Sequence, residues 1–191
     1  MNITCVHNDS RRSNRRDNAT TMSERQPFFR FNPGAYQEGR AFEPSDEPCG
    51  VCAQPCGWKY RGNIYMRADS PTICACCIAD GRLDAFLEGE GFSFHDIELD
   101  GAEAALEQEL LERTPGVACF NPFAWPVLDS VPMAFMGYGE DKGLLAIDAV
   151  RSAISETFAE VGWTEPAGPS PYLLIFKEVN GDRYRAVLDL D

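Results

Sequence analysis

The chain has 191 residues, 44% hydrophobic and 11% aromatic, with eight cysteines and a formal net charge of −13. There is enough apolar material for a buried core, the charge repels nucleic-acid phosphates, and no run of about 18 apolar residues is present to cross a bilayer. With no apolar secretory segment at the start, the reading is a cytoplasmic protein whose thiols are reduced, which favours metal binding over disulfides.

In chain order, residues 1–21 carry Arg11, Arg12, Arg15 and Arg16 among Asn, Ser, Asp and Thr, with almost no apolar periodicity. Residues 1–27 read as a disordered extension, or as sequence upstream of a start at Met22, which opens MSERQPFFRF. A basic arm for nucleic acid is the alternative. Setting aside residues 1–21, with their four Arg and two Asp, leaves 13 basic and 28 acidic residues, a net of −15.

From Phe28 to the end the pattern predicts one folded domain. Residues 57–67 read as a hairpin turning at Arg61-Gly62-Asn63, and 82–88 as a short helix. A helix is predicted over 101–113, with Leu106, Leu110 and Leu111 on one side, Asp100 as its N-cap and Pro115 beyond its end. Residues 132–137 suit a buried strand. Residues 143–161 place Ile147, Val150, Ile154, Phe158 and Val161 at helical spacing, with Gly162 as the stop. YLLIFKEV and DRYRAVLDL flank Asn180-Gly181, a pair suited to a tight hairpin with φ > 0 at both central residues. The fold class is α+β: a zinc-ribbon-like four-cysteine knuckle module at about 45–82 packed on a small mixed α/β domain that ends in a β-hairpin.

Cys49-Gly-Val-Cys52 and Cys74-Ala-Cys76-Cys77 supply two C-x-x-C pairs with 21 residues between them. Each such turn aims two sulfurs at one ion, and two turns complete the tetrahedral thiolate shell that Zn²⁺ favours. Cys49, Cys52, Cys74 and Cys77 are therefore the expected ligands of one structural zinc. Cys56 and Cys76 are near enough to compete, and Cys74 is preferred because the adjacent Cys76 and Cys77 cannot both point inward comfortably. Cys5 and Cys119 are spectators. Four thiolates close the shell, so no position is left for substrate.

FRFNPGAYQEG, C-G-V-C, Y-R-G-N-I-Y, I-C-A-C-C-I-A-D-G, E-R-T-P-G and Trp125-Pro126 together resemble the CbrC family of small bacterial proteins, from about Phe28 onward. The four expected ligands fall on that family's first two cysteine pairs. The resemblance carries no biochemical activity and implies an association with tolerance to a nuclease-type bacteriocin. It also implies a second site, from a His-Cys after the tryptophan and a C-x-x-C near the C-terminus. Here those positions are Leu128, Asp129, Glu178 and Gly181, so all four ligands are missing together.

Enzyme readings are poor in candidates. The histidines are His7 and His95, and no G-x-S-x-G, Walker loop or G-x-G-x-x-G is present. His95 as a general base, with Cys119 as nucleophile, is the enzyme alternative, and a zinc-ribbon nucleic-acid or transcription-associated factor is another. The expectation is a non-enzymatic binding protein whose cationic partner is a cognate toxin. Glu98, Asp100, Glu103 and Glu107, in an acidic run that reads first as a solvated helix face, are the candidate contact charges. Phe120, Phe123 and Trp125 read first as core residues, and they are the candidate contact aromatics as the alternative.

Overall fold

The computed structural model describes residues 26–62, 64, 70–88, 99–119, 124–164 and 168–189. Residues 1–25 of the expected extension over 1–27, and His95, Glu98, Phe120 and Phe123, lie outside the described residues. The chain divides into two compact units, one built mainly on residues 35–93 with the short stretch 112–116, the other on 30–34, 94–111 and 117–191. Among the described residues, no helix is long and apolar enough to cross a membrane.

In the first unit, β1 (Phe42–Pro48) pairs antiparallel with β2 (Pro55–Tyr60), with Phe42 opposite Tyr60 and Ser45 opposite Gly57. The hairpin thus encloses the first cysteine pair, whereas the sequence predicted β2 to turn forward at 61–63. The forward return exists only as a bridge of Lys59 with Cys74, backed by the Tyr60 N–H donating to the Ile73 carbonyl at 2.8 Å. Of the residues expected to form the returning arm, 64–67, those at 65–67 are outside the described set. Two five-residue helices follow, α1 (Ala75–Ala79) and α2 (Arg82–Phe86). Helices this short do not persist alone in water, so tertiary contacts must hold them. Ile73, Ile78 and Leu83 do so by joining Phe29 and Phe42 in one buried cluster. Phe29 stacks on Phe42 at 5.4 Å, and Tyr36 meets Trp58 edge-on at 5.1 Å.

In the second unit, α3 covers Ala104–Arg113. It starts later than predicted: the Glu103 carbonyl accepts from the Leu106 and Glu107 amides, each at 2.9 Å, and Asp100 sits in the preceding turn rather than at the cap. Leu110 is its buried residue. A small hairpin, β3 (Val127–Leu128) with β4 (Val131–Pro132), then leads to a three-stranded antiparallel sheet of β5 (Ala134–Gly139), β6 (Ser170–Lys177) and β7 (Tyr184–Leu188), in that order.

The predicted helix over 143–161 is two helices, α4 (Lys142–Leu145) and α5 (Asp148–Glu160). The Asp141 carboxylate caps α4 through the Gly143 and Leu144 amides, and the chain leaves helical geometry at Ile147, which is exposed rather than core. Gly162 ends α5 as expected. At φ +70° its amide donates to the Ala159 carbonyl, and the Trp163 amide donates to that of Phe158, the two bonds of a Schellman cap.

Strand β6 is buried on both faces because its alternation feeds two clusters. Leu174 and Phe176 pack with Phe31, Leu110, Trp125 and Phe135, whereas Leu173 and Ile175 pack against Val150, Ile154 and Phe158 of α5. Each such apolar side chain contributes about 1.5–3 kcal/mol when fully buried.

The tight-turn expectation at Asn180-Gly181 is corrected. Neither residue has positive φ, and the Glu178 amide bonds the Arg183 carbonyl at 2.9 Å across a longer loop. A Cβ at Gly181 would meet the Glu178 carboxylate, the movable end of a flexible side chain. The two-residue turn with both φ positive occurs between β3 and β4, at Asp129 (+51°) and Ser130 (+65°).

Candidate metal centre

The first cysteine pair occupies the turn between β1 and β2. The Cys49 amide donates to the Gln54 carbonyl and the Ala53 amide to the Cys49 carbonyl, both at 2.8 Å, with Ala53 in the left-handed region at φ +57°. This reversal folds Cys52 back beside Cys49. The Gly50 amide then bonds the Thr72 carbonyl at 2.8 Å, which ties the first turn to the chain entering the second pair. Position 50 has no room for a Cβ, which would run into Pro71.

Cys74 sits at the N-terminal boundary of α1 and Cys77 within its first turn. The Cys77 amide donates to the Cys74 carbonyl at 3.1 Å, and the Cys74 amide donates to the Cys49 sulfur at 3.4 Å. Outside the turns, Lys59 bonds Glu47 at 3.0 Å and Thr72 bonds the same carboxylate at 2.9 Å. Those contacts, Lys59 foremost, hold the Glu47 carboxyl below its ordinary value. Being exposed, they set register more than they add stability.

The result is one compact sulfur cluster. The Cys49, Cys52, Cys74 and Cys77 sulfurs all lie within 4.8 Å of one another, and the Cys49–Cys77 and Cys52–Cys74 separations are both 3.8 Å. A tetrahedron with zinc–sulfur bonds of about 2.3 Å has edges of about 3.8 Å. Cys49, Cys74 and Cys77 are buried and Cys52 is half-buried. The donor set, spacing and burial therefore fit a tetrahedral thiophilic ion. Cys56 and Cys76 are buried nearby but stand outside the cluster.

Electrostatics separates the members. The Cys49, Cys76 and Cys77 thiols donate toward Cys74 and hold its thiol far below the ordinary cysteine value. Cys77, which shares its proton with Cys49 and Cys74, is held far above it. Burial raises Cys52, and raises Cys56 to about 12 with help from the neighbouring sulfurs. A divalent cation held by Cys49, Cys52, Cys74 and Cys77 would replace the shared protons and relieve the repulsion between sulfurs, so its binding would release protons.

The model of an uncharacterised protein family, UPF0167, matches residues 26–168, which include all four clustered cysteines. The chain belongs to the UPF0167 family. The UPF0167 protein PA1536 of Pseudomonas aeruginosa is 30% identical over 141 residues, covering 72% of this chain and 76% of that one. No solved structure matches. The UPF0167 match ends before β6, so it covers the sulfur cluster and α5 and leaves the last two strands outside.

The other candidate residues of this UPF0167 member are dispersed. Asp100 and Glu103 are exposed and Glu107 is half-buried. Trp125, taken above as a possible contact aromatic, is a core residue: it is 2% exposed, its indole N–H donates to the Met133 carbonyl at 2.8 Å, and it meets Phe176 edge-on. Such a side chain cannot anchor a partner by direct insertion. Cys119 is exposed, but the protein around it and the Asp189 carboxylate push its thiol up to about 11.

Sequence reasoning missed a charge cluster near the β3–β4 turn. Arg183 grips Glu178 through two bonds of 2.9 and 3.0 Å and reaches Asp129 at 2.7 Å. Asp129 and Glu178 are two of the four positions where the family resemblance implies absent ligands, and here they share a guanidinium. Nothing in local periodicity points from Arg183 to Asp129, 54 residues away.

Proposed function

We propose that this chain is a cytoplasmic, non-enzymatic binding protein that carries one structural zinc ion and neutralises a basic protein partner by occlusion, in the manner of an immunity or tolerance protein. The observation that carries the reading is the closed, largely buried set of four sulfurs at tetrahedral spacing. Four thiolates saturate zinc, so the ion would serve folding and leave no position for a substrate. When bound, it supplies charge neutralisation and four bonds that pin the β1–β2 turn to the start of α1. The chain's own residues do the rest: the Gly50–Thr72 bond and the Glu47 contacts set the register of the two halves.

The net charge of −13 favours a cationic partner and speeds its approach. The resemblance to the CbrC family adds the association with bacteriocin tolerance and suggests a toxin as that partner. The high thiol value of Cys119 weighs against the enzyme alternative, because little thiolate is present at neutral pH. Its alkylation by iodoacetamide should be roughly a hundredfold slower at pH 8 than that of free cysteine, and should climb with pH until about 11. A rate at or above that of free cysteine would identify an activated nucleophile.

Co-expression with the product of the adjacent gene tests the reading. Rescue of growth accompanied by a purified complex, with an association rate that falls as salt rises, is the expected result. Rescue without a complex, or turnover by the purified protein that is lost in His95→Ala, would replace this reading with an enzyme.

A further inference from the structure

Among the described residues strand β7 is the edge of its sheet, and its register fixes which backbone groups face outward. The Glu178–Arg183 and Tyr172–Asp189 bonds place Arg183, Arg185, Val187 and Asp189 in the hydrogen-bonded positions toward β6. Tyr184, Ala186 and Leu188 therefore turn their N–H and carbonyl groups away from the sheet. The Ala186 carbonyl is taken by the Thr157 hydroxyl at 2.8 Å, as expected of an outward group. Among the described residues the remaining outward groups have no partner.

A groove of about 1160 Å³ follows this edge, lined by every residue from Asp182 to Leu188. One wall is α5, which contributes Ser152, Glu156 and Glu160; the other is the segment 124–128 with Met133. A strand laid against five residues needs a slot about 17 Å long, 4.8 Å wide and 10 Å deep, on the order of 800 Å³. The groove holds that volume, and its two walls admit a single extended chain more readily than the edge of another folded sheet. Its charges also select. Arg185 is paired with Glu160 at 3.4 Å, Arg183 with Asp129 and Glu178, and Asp182 with Lys177. Asp100 and Glu156 remain on the lining without an ion-pair partner among the described residues.

We propose that this groove receives an extended, basic segment of a partner protein, which adds to β7 as a fourth strand. Main-chain bonds to the outward groups of Tyr184 and Leu188 and to the Ala186 N–H would supply affinity, the Ala186 carbonyl staying with Thr157, and Asp100 and Glu156 would select Lys or Arg side chains of the segment. The inference rests on the reading of the chain as a binding protein for a cationic partner, and it names the surface.

The test uses the full zinc-loaded chain and a capped seven-residue peptide alternating Lys and Val, with a Glu/Val peptide as control. Amide shifts on titration should concentrate at 184–188 with the Lys/Val peptide only. Tyr184→Pro removes an outward N–H and no ladder bond, so it should weaken binding at least tenfold, whereas Tyr184→Ala should retain most of it. Ser152→Trp fills the groove from an exposed position of α5 and should abolish binding even if the proline variant does not fold. Equal binding by wild type and Ser152→Trp would overturn the proposal, as would shifts confined to 103–112. Either of those outcomes removes the groove while a co-purified cationic partner keeps the binding reading. Absence of any complex in the co-expression experiment removes that reading separately.

Discussion

Cys77→Ser should abolish the ordered state of the first unit. Zinc binding at structural four-ligand sites is worth on the order of 10 kcal/mol, as large as the whole stability of an ordinary domain. Among the described residues of the unit, the helices have five residues each, the sheet has two strands, and the buried cluster counts the cysteines themselves among its members. Without the ion, Cys77 and Cys52 keep their protons at neutral pH, because shared hydrogen bonds hold Cys77, and burial holds Cys52, above the ordinary value. A raised value in the folded state costs stability only as pH rises above the ordinary thiol value, whereas the lowered Cys74 thiol makes the metal-free fold gain stability as pH rises toward that value. The metal-bound fold weakens toward acid, since acid returns protons to the ligands. Circular dichroism with and without a chelator, between pH 5 and 9, should show the bound form more stable than the chelated form at neutral pH and converging with it toward acid. Cys56→Ser, outside the cluster, should leave zinc content unchanged. If Cys77→Ser melted at the wild-type temperature, the cluster would not be the structural centre of its unit.

Trp125→Ala should destabilise the second unit by about 4 kcal/mol, within the range for deleting a buried aromatic. The indole fills the cluster beside Phe176 and Phe135, and its N–H satisfies the Met133 carbonyl, which would lose its partner. Urea denaturation followed by the far-ultraviolet signal measures the change. A variant of wild-type stability that bound its partner poorly would return Trp125 to the role of contact aromatic, against its burial.

The sequence was most legible where one local rule decided the outcome. Two C-x-x-C pairs announced the sulfur cluster because ligand spacing is itself the constraint. Gly162 announced the end of α5, since a left-handed residue is what a Schellman cap requires. The apolar run in β6 likewise matched a strand covered on both faces. Legibility failed where distant residues chose between local options. Gly57-Trp58-Lys59-Tyr60 could pair forward or backward, and the Phe42 side chain, stacked on Phe29 and Tyr36, drew β2 back onto β1. Asn180-Gly181 had the stronger turn chemistry, yet the positive-φ turn formed at Asp129-Ser130, where Arg183 holds the aspartate. Helical periodicity over 143–161 concealed a break at Ile147, because Asp141 nucleates a separate turn upstream. The groove along β7 was not legible at all, since strand order and register are set only once β6 and β7 have paired.

The most direct measurement of the central claim is elemental analysis of the purified full chain combined with X-ray absorption at the zinc edge. One zinc per chain, surrounded by four sulfurs at about 2.3 Å, is the predicted result. A chain purified without metal that still folds, or an ion whose shell contains nitrogen or oxygen in place of one of the sulfurs of Cys49, Cys52, Cys74 and Cys77, would contradict it.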